Sequence, residues 1–310
     1  MSETSALFGA ARGGDRTALA RLLSLIERGG PEARVVGRLS FALAGPASTV
    51  GITGAPGAGK STLTSALVSR IRDRASEVAV LAVDPSSPFT GGAILGDRVR
   101  MSDHSLDRGV FIRSMATRGH LGGLSLAVPE AVRLLDAVGF PLVIIETVGV
   151  GQVEVEIAGE ADTTVVVVNP GWGDAVQANK AGLMEIADVF VVNKADRAGL
   201  RDTLTDIERM LSLRSVDGWR PPIVATTATT GDGVDDLLAA IESHQQWSIG
   251  SGDRAARRAM RTEVELDRIL TTQLLAKVAA LHQDDGWAAV VEAVRSQQLD
   301  PWSAAEDLLG

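Results

Sequence analysis

Between residues 46 and 246, short continuous apolar runs alternate with segments of helical periodicity. The apolar runs are strand-sized, and they lack the alternation of apolar and polar positions that a sheet with one solvated face would show. Continuous apolar strands are typical of a parallel sheet that is covered by helices on both faces. The pattern therefore predicts an α/β fold with a doubly wound, mainly parallel sheet, whose strands lie at residues 50–53, 78–83, 110–112, 142–146, 163–168, 189–192 and 223–225.

Helical patterns flank this predicted domain on both sides, over residues 1–45 and 247–310. In the first flank, Asp15 is a plausible N-cap, and the Gly-Gly-Pro break at residues 29–31 separates a second helix over 32–43. In the second flank, a long apolar stripe fits either packing against the main domain or a dimer arm, and the pattern leaves both open. The stripes consist of Leu19, Leu22, Leu23 and Ile26 in the first flank and of Leu266, Ile269, Leu270, Leu274, Val278 and Leu281 in the second.

Composition narrows the class of protein. No apolar run approaches the roughly 20 residues of a membrane span, and the N-terminus lacks a basic segment followed by a long apolar stretch. The absence of cysteine excludes disulfides and thiolate metal sites, so a cytoplasmic location is the simplest expectation. A net charge of −9 argues against a general nucleic-acid surface. The local run of Arg254, Arg257, Arg258 and Arg261 is expected to be a solvated helix face.

A glycine-rich segment between the first predicted strand and a helix carries phosphate-binding chemistry. It reads G-x-x-x-x-G-K-S over residues 54–61, the P-loop pattern, in which backbone N–H groups surround a triphosphate. Lys60 can reach the β and γ phosphates, the Ser61 hydroxyl can ligate Mg²⁺, and the following helix adds its positive N-terminal end. The chain has only four lysines, which makes a chance match improbable. The predicted nucleotide contacts are Gly54, Ala55, Pro56, Gly57, Ala58, Gly59, Lys60, Ser61 and Thr62.

A second motif indicates which base is bound. Asn193, Lys194 and Asp196 form N-K-x-D directly after a predicted strand. An aspartate carboxylate can accept hydrogen bonds from guanine N1–H and the exocyclic amine, whereas adenine offers no matching donor pair, and such polar mismatches discriminate strongly. The motif therefore favours GTP and GDP over adenine nucleotides. Further along the chain, Thr227, Ala228 and Thr229 follow the last predicted strand, where a loop could contact the guanine with its backbone.

Carboxylates at the ends of predicted strands are candidate partners of Mg²⁺. Asp84 and Glu146 each follow an apolar strand, and Asp97 lies in a glycine-rich loop. Mg²⁺ prefers oxygen ligands and usually keeps several waters, so not all three need bind it directly. Asp84 and Asp97 can alternatively be turn or cap residues.

The strand-end motif at Glu146 reads Glu-x-x-Gly and is followed by Val150. Many small GTPases place a water-orienting glutamine directly after this glycine, and a valine side chain cannot orient water. We therefore expect slow intrinsic GTP hydrolysis that is accelerated by a partner.

Together these motifs resemble the MeaB/ArgK family, P-loop GTPases of the SIMIBI class that act as chaperones of adenosylcobalamin-dependent acyl-CoA mutases such as methylmalonyl-CoA mutase. The resemblance runs from about residue 13 to the C-terminus and is densest over 50–235. Beyond the general GTPase motifs, it is carried by residues 82–87, 91–98, 111–113, 121–123, 146–152, 173–174 and 180–188.

The resemblance implies a homodimeric GTPase that gates cofactor loading and protects a mutase, with residues 247–310 as the dimerisation arm. It also implies Mg²⁺ near Ser61, Asp97 and Glu146 with Asp84 close by, and a switch at residues 171–180 that reports the nucleotide state. The catalytic residues expected on this basis are Lys60, Asp97, Glu146 and Lys180, although Lys180 can equally be a surface lysine on a helix. No membrane or nucleic-acid partner is expected.

The chain departs from many relatives in two segments, residues 114–120 and 172–180. These differences do not affect the GTP-binding motifs, but they bear on which mutase is served. A nickel-insertion metallochaperone is disfavoured, because the chain has no cysteine and its four histidines are scattered. A small-molecule kinase is disfavoured by the guanine motif, and a scaffold with an inactive nucleotide site is disfavoured by the intact P-loop.

Overall fold

The computed structural model describes residues 2–85, 104, 106–117, 127–147, 159–171, 185–213, 218–283 and 285–309. Within these ranges, residues 84, 85, 116, 117 and 285 are described by their backbone only. The strands in these ranges are β1 (Ser48–Gly54), β2 (Val78–Pro85), β3 (Val110–Thr117), β4 (Leu142–Thr147), β5 (Thr163–Val168), β6 (Val189–Asn193) and β7 (Ile223–Thr226). The helices are α1 (Glu3–Arg12), α2 (Arg16–Arg28), α3 (Gly30–Leu43), α4 (Lys60–Asp73), α5 (Ala127–Ala137), α6 (Leu200–Ser212), α7 (Val234–Ser251), α8 (Asp253–Leu281), α9 (Asp285–Arg295) and α10 (Pro301–Leu309).

The seven strands form one sheet in the order β3-β2-β4-β1-β5-β6-β7, and every neighbouring pair is parallel. All seven predicted apolar runs are therefore strands of a parallel sheet. β5 is buried at each of its six positions, as expected for a central strand covered on both faces. Because all strands run the same way, their last residues lie along one edge, here called the carboxyl edge, and their first residues lie along the opposite amino edge.

Helices cover both faces, which confirms the doubly wound architecture. On one face, α4 and α7 pack their apolar sides against the central strands. On the other face, the N-terminal helices and α5 pack against β2, β3 and β4. The predicted N-cap is confirmed, because the Asp15 side chain accepts hydrogen bonds from the backbone N–H groups of Thr17 and Ala18. Leu22 and Leu23 of the predicted stripe are fully buried, so the N-terminal flank belongs to the core of the domain.

The chain divides into two compact units, Met1–Arg261 and Thr262–Gly310. The second unit contains most of α8 together with α9 and α10. Leu266, Leu270 and Leu274 of the predicted stripe expose half or more of their surface within this chain. The end of α8 together with α9 and α10 lines an open apolar pocket of about 400 Å³, and its lining includes Leu281 and Trp287. Among the described residues, no helix combines the length and apolarity that crossing a bilayer requires.

Candidate nucleotide site

The P-loop connects the end of β1 to the start of α4, at the carboxyl edge of the sheet. Gly54 has φ of +134°, and a Cβ at this position would lie 1.9 Å from the carbonyl oxygen of Val167 in β5. Gly59 has φ of +89°, and its Cβ would lie 2.4 Å from Nδ2 of Asn193. Both glycines are therefore required by close packing as well as by backbone conformation. At these two positions the loop lies against neighbouring segments with no room for a side chain.

Lys60 lies at the first position of α4 and is buried. Its Nζ donates hydrogen bonds to the carbonyl oxygens of Gly54 at 2.6 Å and Ala55 at 3.1 Å. The ammonium group is thus held on the concave side of the loop, beside the positive end of the helix. Ser61 is also buried, and Thr62 is exposed in the same turn. This arrangement suits a phosphate chain, since helix N-termini and nearby cations bind anions.

The side chain of Asn193 joins the P-loop to the predicted base-binding loop. Asn193 ends β6 and is 2% exposed. Its Nδ2 donates to the carbonyl oxygen of Ala58 at 2.8 Å, and its Oδ1 accepts from the backbone N–H of Ala228 at 3.1 Å. Ala58 lies 135 residues before Asn193 and Ala228 lies 35 residues after it, so one amide group joins two distant segments of the chain. The structure brings together the three motifs that the sequence predicts for a guanine nucleotide.

The rest of the N-K-x-D motif lies at the same edge. Lys194 has φ of +61°, and its Nζ donates to the carbonyl oxygen of Gly57 at 2.6 Å. Asp196 is exposed in the turn that follows, and Thr229 is exposed in the neighbouring loop. The backbone N–H of Thr227 donates to the carbonyl oxygen of Asp232, which shapes that loop. The two exposed side chains therefore project from segments that are fixed by hydrogen bonds to neighbouring loops.

Two predicted Mg²⁺ ligands fall on described residues at the carboxyl edge. Ser61 lies in the first turn of α4, and Glu146 lies at the end of β4, opposite Ile52 in the neighbouring strand. Glu146 is 2% exposed. Next to it, the Thr147 hydroxyl donates to the Thr53 hydroxyl at 3.3 Å, which links the end of β4 to β1 directly before the P-loop.

These donors fit Mg²⁺, a hard cation that is bound through oxygen. The described residues contain no cluster of three or more His, Asp or Glu side chains that could hold a metal. Mg²⁺ commonly takes one or two protein ligands and completes its shell with water and substrate phosphates, which such a sparse donor set would allow. The backbone of Asp84 lies in β2 at the same edge, paired with Ala116. Its side chain, Asp97, Val150 and Lys180 lie outside the described residues.

A second polar cluster lies at the amino edge, formed by Arg254, Arg257, Arg258 and Arg261 of α8 together with Asp162 and Asp188, and is here called the arginine clamp. Asp162 precedes β5, and its side chain is 1% exposed. Arg258 binds both of its carboxylate oxygens, at 3.0 and 2.6 Å, and Arg261 donates to Oδ1 at 2.6 Å. Burial alone would raise the pKa of Asp162, but the hydrogen bonds and charges of Arg258 and Arg261 outweigh it and lower the pKa to about 2.

Asp188, which precedes β6, is the second carboxylate of the arginine clamp. Arg257 binds both of its oxygens, at 3.1 and 3.0 Å, and the backbone N–H of Thr164 donates to Oδ2 at 2.8 Å. Burial would raise the pKa of Asp188, but His244 and Arg257 outweigh it and lower that pKa. The prediction that these arginines form a solvated helix face is wrong, because they neutralise buried carboxylates.

Comparison with known proteins agrees with this geometry. The family model described as methylmalonyl-CoA mutase-associated GTPase MeaB matches residues 19–283. A protein from Pyrococcus horikoshii that carries a GTPase name is 49% identical over 300 residues, which cover 96% of this chain and 94% of that protein. The GTPase ArgK of Escherichia coli is 40% identical over 241 residues, covering 74% of this chain and 72% of its own.

A solved structure extends the comparison to the whole fold. The crystal structure of a LAO/AO transport system kinase superposes with a TM-score of 0.72 at 26% identity, covering 99% of this chain and 97% of that one. The family match spans the sheet, the P-loop and the N-K-x-D motif, which are the elements that form the candidate site. The chain therefore belongs to the MeaB family of methylmalonyl-CoA mutase-associated GTPases and is itself a GTPase.

Proposed function

We propose that this GTPase binds GTP and GDP at the carboxyl edge and uses the nucleotide state to regulate an adenosylcobalamin-dependent acyl-CoA mutase. The observation that carries the nucleotide site is the buried amide of Asn193, which holds the P-loop and the 227–229 loop against each other. The phosphates bind residues 54–62, with Lys60 at the β and γ phosphates, and the guanine binds Asp196 beside Ala228. The family's association with methylmalonyl-CoA mutase supports the choice of partner.

The guanine assignment is tested by changing the polarity of the base contact. Asp196→Asn replaces a carboxylate oxygen by an amide donor, which no longer matches the exocyclic amine of guanine. Xanthine carries a carbonyl oxygen at that position and should gain affinity. We expect GDP affinity to fall by roughly 100-fold or more while xanthosine diphosphate binds better than it does to the unaltered chain, measured by calorimetry. If the affinities for GDP and for xanthosine diphosphate are both unchanged, the base does not bind at Asp196.

Mg²⁺ is proposed to bind at Ser61 and Glu146, with Asp97 and Asp84 as further ligands directly or through water. When bound, the ion would neutralise phosphate charge. Glu146→Gln retains the shape of the side chain but removes its charge. We expect it to raise the Mg²⁺ concentration required for half-maximal GTP hydrolysis by about tenfold, whereas Glu242→Gln on the surface of α7 should leave that concentration unchanged. An unchanged Mg²⁺ requirement in Glu146→Gln would remove Glu146 from the metal site.

The regulatory role rests on slow hydrolysis by the isolated chain, because Val150 cannot orient a water molecule. We propose that a bound mutase accelerates the reaction and that Lys180 in the 171–180 segment takes part in that response. Lys180→Ala should bind GTP normally and lose stimulation by the mutase. Rapid turnover without any partner would contradict this proposal, and full stimulation of the variant would make Lys180 an ordinary surface lysine.

The partner is identified by capture in defined nucleotide states. The unaltered chain is loaded with GDP or with a non-hydrolysable GTP analogue, and Asp196→Asn serves as a control that cannot respond to guanine nucleotides. Recovery of a cobalamin-dependent mutase subunit that differs between the two states supports the proposal. Recovery of no such subunit in either state contradicts it.

We also propose that residues 247–310 form a dimerisation arm. The exposed side chains of Leu266, Leu270 and Leu274 lie four residues apart on α8, so they form one apolar stripe of a helix that has no buried residue in this chain. Replacing Leu270 and Leu274 by glutamate should give a monomer in light scattering, while glutamate at the exposed position Leu213 should leave the mass unchanged. If the unaltered chain is itself a monomer in light scattering, residues 247–310 are not a dimerisation arm.

The name of the related solved structure favours a small-molecule kinase as the second candidate. A kinase would transfer the γ phosphate to an acceptor other than water. Incubation with γ-labelled GTP or ATP and small-molecule acceptors separates the two functions: release of inorganic phosphate from GTP alone supports the GTPase. A labelled acceptor formed from ATP would favour the kinase.

A further inference from the structure

Thr226 lies beside the candidate base site, although neither the P-loop nor the N-K-x-D motif includes it. It is the last residue of β7 and is fully buried. Its hydroxyl donates a hydrogen bond to Oδ1 of Asn193 at 3.1 Å, across the pair of strands in which the two residues are direct neighbours. Its carbonyl oxygen accepts from the backbone N–H of Ala195 at 3.0 Å. One residue therefore contacts two positions of the base-binding segment, Asn193 and Ala195.

The hydroxyl of Thr226 determines how the amide of Asn193 is oriented. An amide presents an oxygen that accepts and a nitrogen that donates, and the two groups have nearly the same shape. At this site the nitrogen must face the P-loop, because it donates to the carbonyl oxygen of Ala58 at 2.8 Å. The oxygen then receives two donors, the hydroxyl of Thr226 and the N–H of Ala228. Removing the hydroxyl leaves one donor to hold that orientation.

The surroundings of Asn193 leave little room for adjustment. A Cβ on Gly59 would lie 2.4 Å from Nδ2, so the amide is packed against the backbone of the P-loop. A rotated amide would place its oxygen against the carbonyl oxygen of Ala58, with two acceptors in contact. A misplaced Asn193 therefore disturbs the P-loop and the 227–229 loop together, since both are fixed by the same side chain.

We propose that Thr226 is a positioning residue for guanine nucleotide binding, which acts by holding the amide of Asn193 in the orientation that joins the two loops. The inference rests on the proposed nucleotide site at the carboxyl edge. Thr226 acts on the affinity for GTP and GDP, because its hydrogen bond orders the segments that hold the base. The rate of hydrolysis at saturating GTP is not expected to change.

The test compares two substitutions that remove different halves of the side chain. Thr226→Val keeps the shape and removes the hydroxyl, and it should weaken GDP binding about three- to tenfold, the effect of one neutral hydrogen bond. The same variant should raise KM for GTP with little change in kcat. Thr226→Ser keeps the hydroxyl and removes a buried methyl group. It should lower Tm by about 2–4 °C and retain near-normal GDP affinity.

Thr163→Val is the matched control, because Thr163 is a fully buried threonine at the amino edge whose hydroxyl bonds to Nδ1 of His244 at 2.9 Å. It should lower Tm without changing GDP affinity. Fluorescence titration with labelled GDP and thermal melting, performed on all variants, separate affinity from stability. A merely structural role of Thr226 would make affinity follow Tm in every variant, including Thr226→Ser, and would overturn the inference.

Asp196→Asn separates failure of the inference from failure of the proposed site. If Asp196→Asn loses GDP binding and Thr226→Val binds GDP like the unaltered chain, the site is correct and the role of Thr226 is wrong. If neither variant changes GDP affinity, the nucleotide binds elsewhere and both proposals fail. Loss of affinity in Asp196→Asn and in Thr226→Val, with rescue in Thr226→Ser, supports both.

Discussion

The two edges of the sheet carry buried polar groups at opposite ends of the same strands, but they pair them differently. At the amino edge, the carboxylates of Asp162 and Asp188 are bound by arginine side chains of the arginine clamp. At the carboxyl edge, Lys60 and Asn193 bond to backbone groups of neighbouring loops. At the amino edge, carboxylates are bound by arginines of the same chain, whereas at the carboxyl edge carbonyl oxygens of the P-loop orient the ammonium group of Lys60.

The comparison shows that burial of a charged residue does not by itself identify a binding site. A carboxylate that is almost fully buried can be structural when arginines meet both of its oxygens, as at Asp162. A lysine bound to carbonyl oxygens at a helix N-terminus remains able to attract phosphate. We therefore expect the two edges to respond in opposite ways to substitution, with stability lost at the amino edge and affinity lost at the carboxyl edge.

The largest expected effect is a loss of stability in Asp162→Ala. The substitution leaves Arg258 and Arg261 without their shared carboxylate, and breaking a buried ion pair typically costs about 3–5 kcal/mol. We expect chemical denaturation to show a decrease of that size in the free energy of unfolding, while the folded fraction binds GDP with unchanged affinity. Asp235→Ala is the control, because its carboxylate is exposed and pairs with Arg70 at 3.5 Å, so it should cost less than about 1 kcal/mol. A parallel loss of GDP affinity in Asp162→Ala would mean that the edges are not independent.

The second effect is a loss of affinity in Lys60→Ala. Removing a buried cation that we propose to contact the phosphates should weaken GTP binding by roughly 100-fold, since hydrogen bonds to charged groups each contribute about 1.5–3 kcal/mol. Tm should change by only a few degrees. Lys277→Ala, at an exposed position on α8, should change neither property. If Lys60→Ala is strongly destabilised but binds GTP with unchanged affinity, Lys60 stabilises the fold and does not bind the phosphates.

The third effect is a pH dependence that comes from the amino edge. The pKa of Asp162 is lowered to about 2 in the folded chain from its ordinary value of 3.8, so its ion pairs stabilise the fold above pH 3.8 and lose that contribution as pH falls towards 2. The total loss expected from this residue is about 2 kcal/mol. Denaturation between pH 5 and pH 2 should show this loss, and Asp162→Asn should lack the part that Asp162 contributes. An equally steep acid dependence in Asp162→Asn would assign the loss to other carboxylates.

The sheet could be predicted because its strands are local features of the sequence. Runs such as 165–168 are continuously apolar and strand-sized, as expected for a strand that is covered on both faces. β3 was predicted too short: it continues to Thr117 through the polar residues Arg113 and Ser114. β3 ends the strand order of the sheet, and a strand at an edge tolerates polar side chains better than a central one.

The residues of the candidate site could be predicted only where they lie close together in the sequence as part of a motif. The P-loop and N-K-x-D residues are recognisable because their chemistry requires them at short fixed separations. Thr226 was missed because its partner is Asn193, 33 residues away, and a threonine at a strand end has no distinctive pattern. The arginine clamp was misread for the same reason. Arg258 and Asp162 are 96 residues apart, and arginines spaced three and four residues apart on a helix are usually solvated.

The smallest expected effect tests the geometry of the arginine clamp rather than its charge. Arg257→Lys keeps a cation beside Asp188 but replaces a two-point contact by a single ammonium group, and lysine cannot reproduce the planar fork of arginine. Asp188 retains the N–H of Thr164, so the cost should be only about 1 kcal/mol in the free energy of unfolding.

Arg74→Lys is the matched control for Arg257→Lys. Arg74 pairs with Glu242 at 2.6 Å, but both side chains are about half exposed, so the free energy of unfolding should change by less than about 0.5 kcal/mol. Equal effects in the two variants would show that charge alone, without the two-point geometry, stabilises the amino edge. A larger cost at Arg257 would instead show that this edge depends on fixed hydrogen bonds. Fixed contacts between charged side chains would then distinguish this edge from the carboxyl edge, where Lys60 and Asn193 bond to backbone groups.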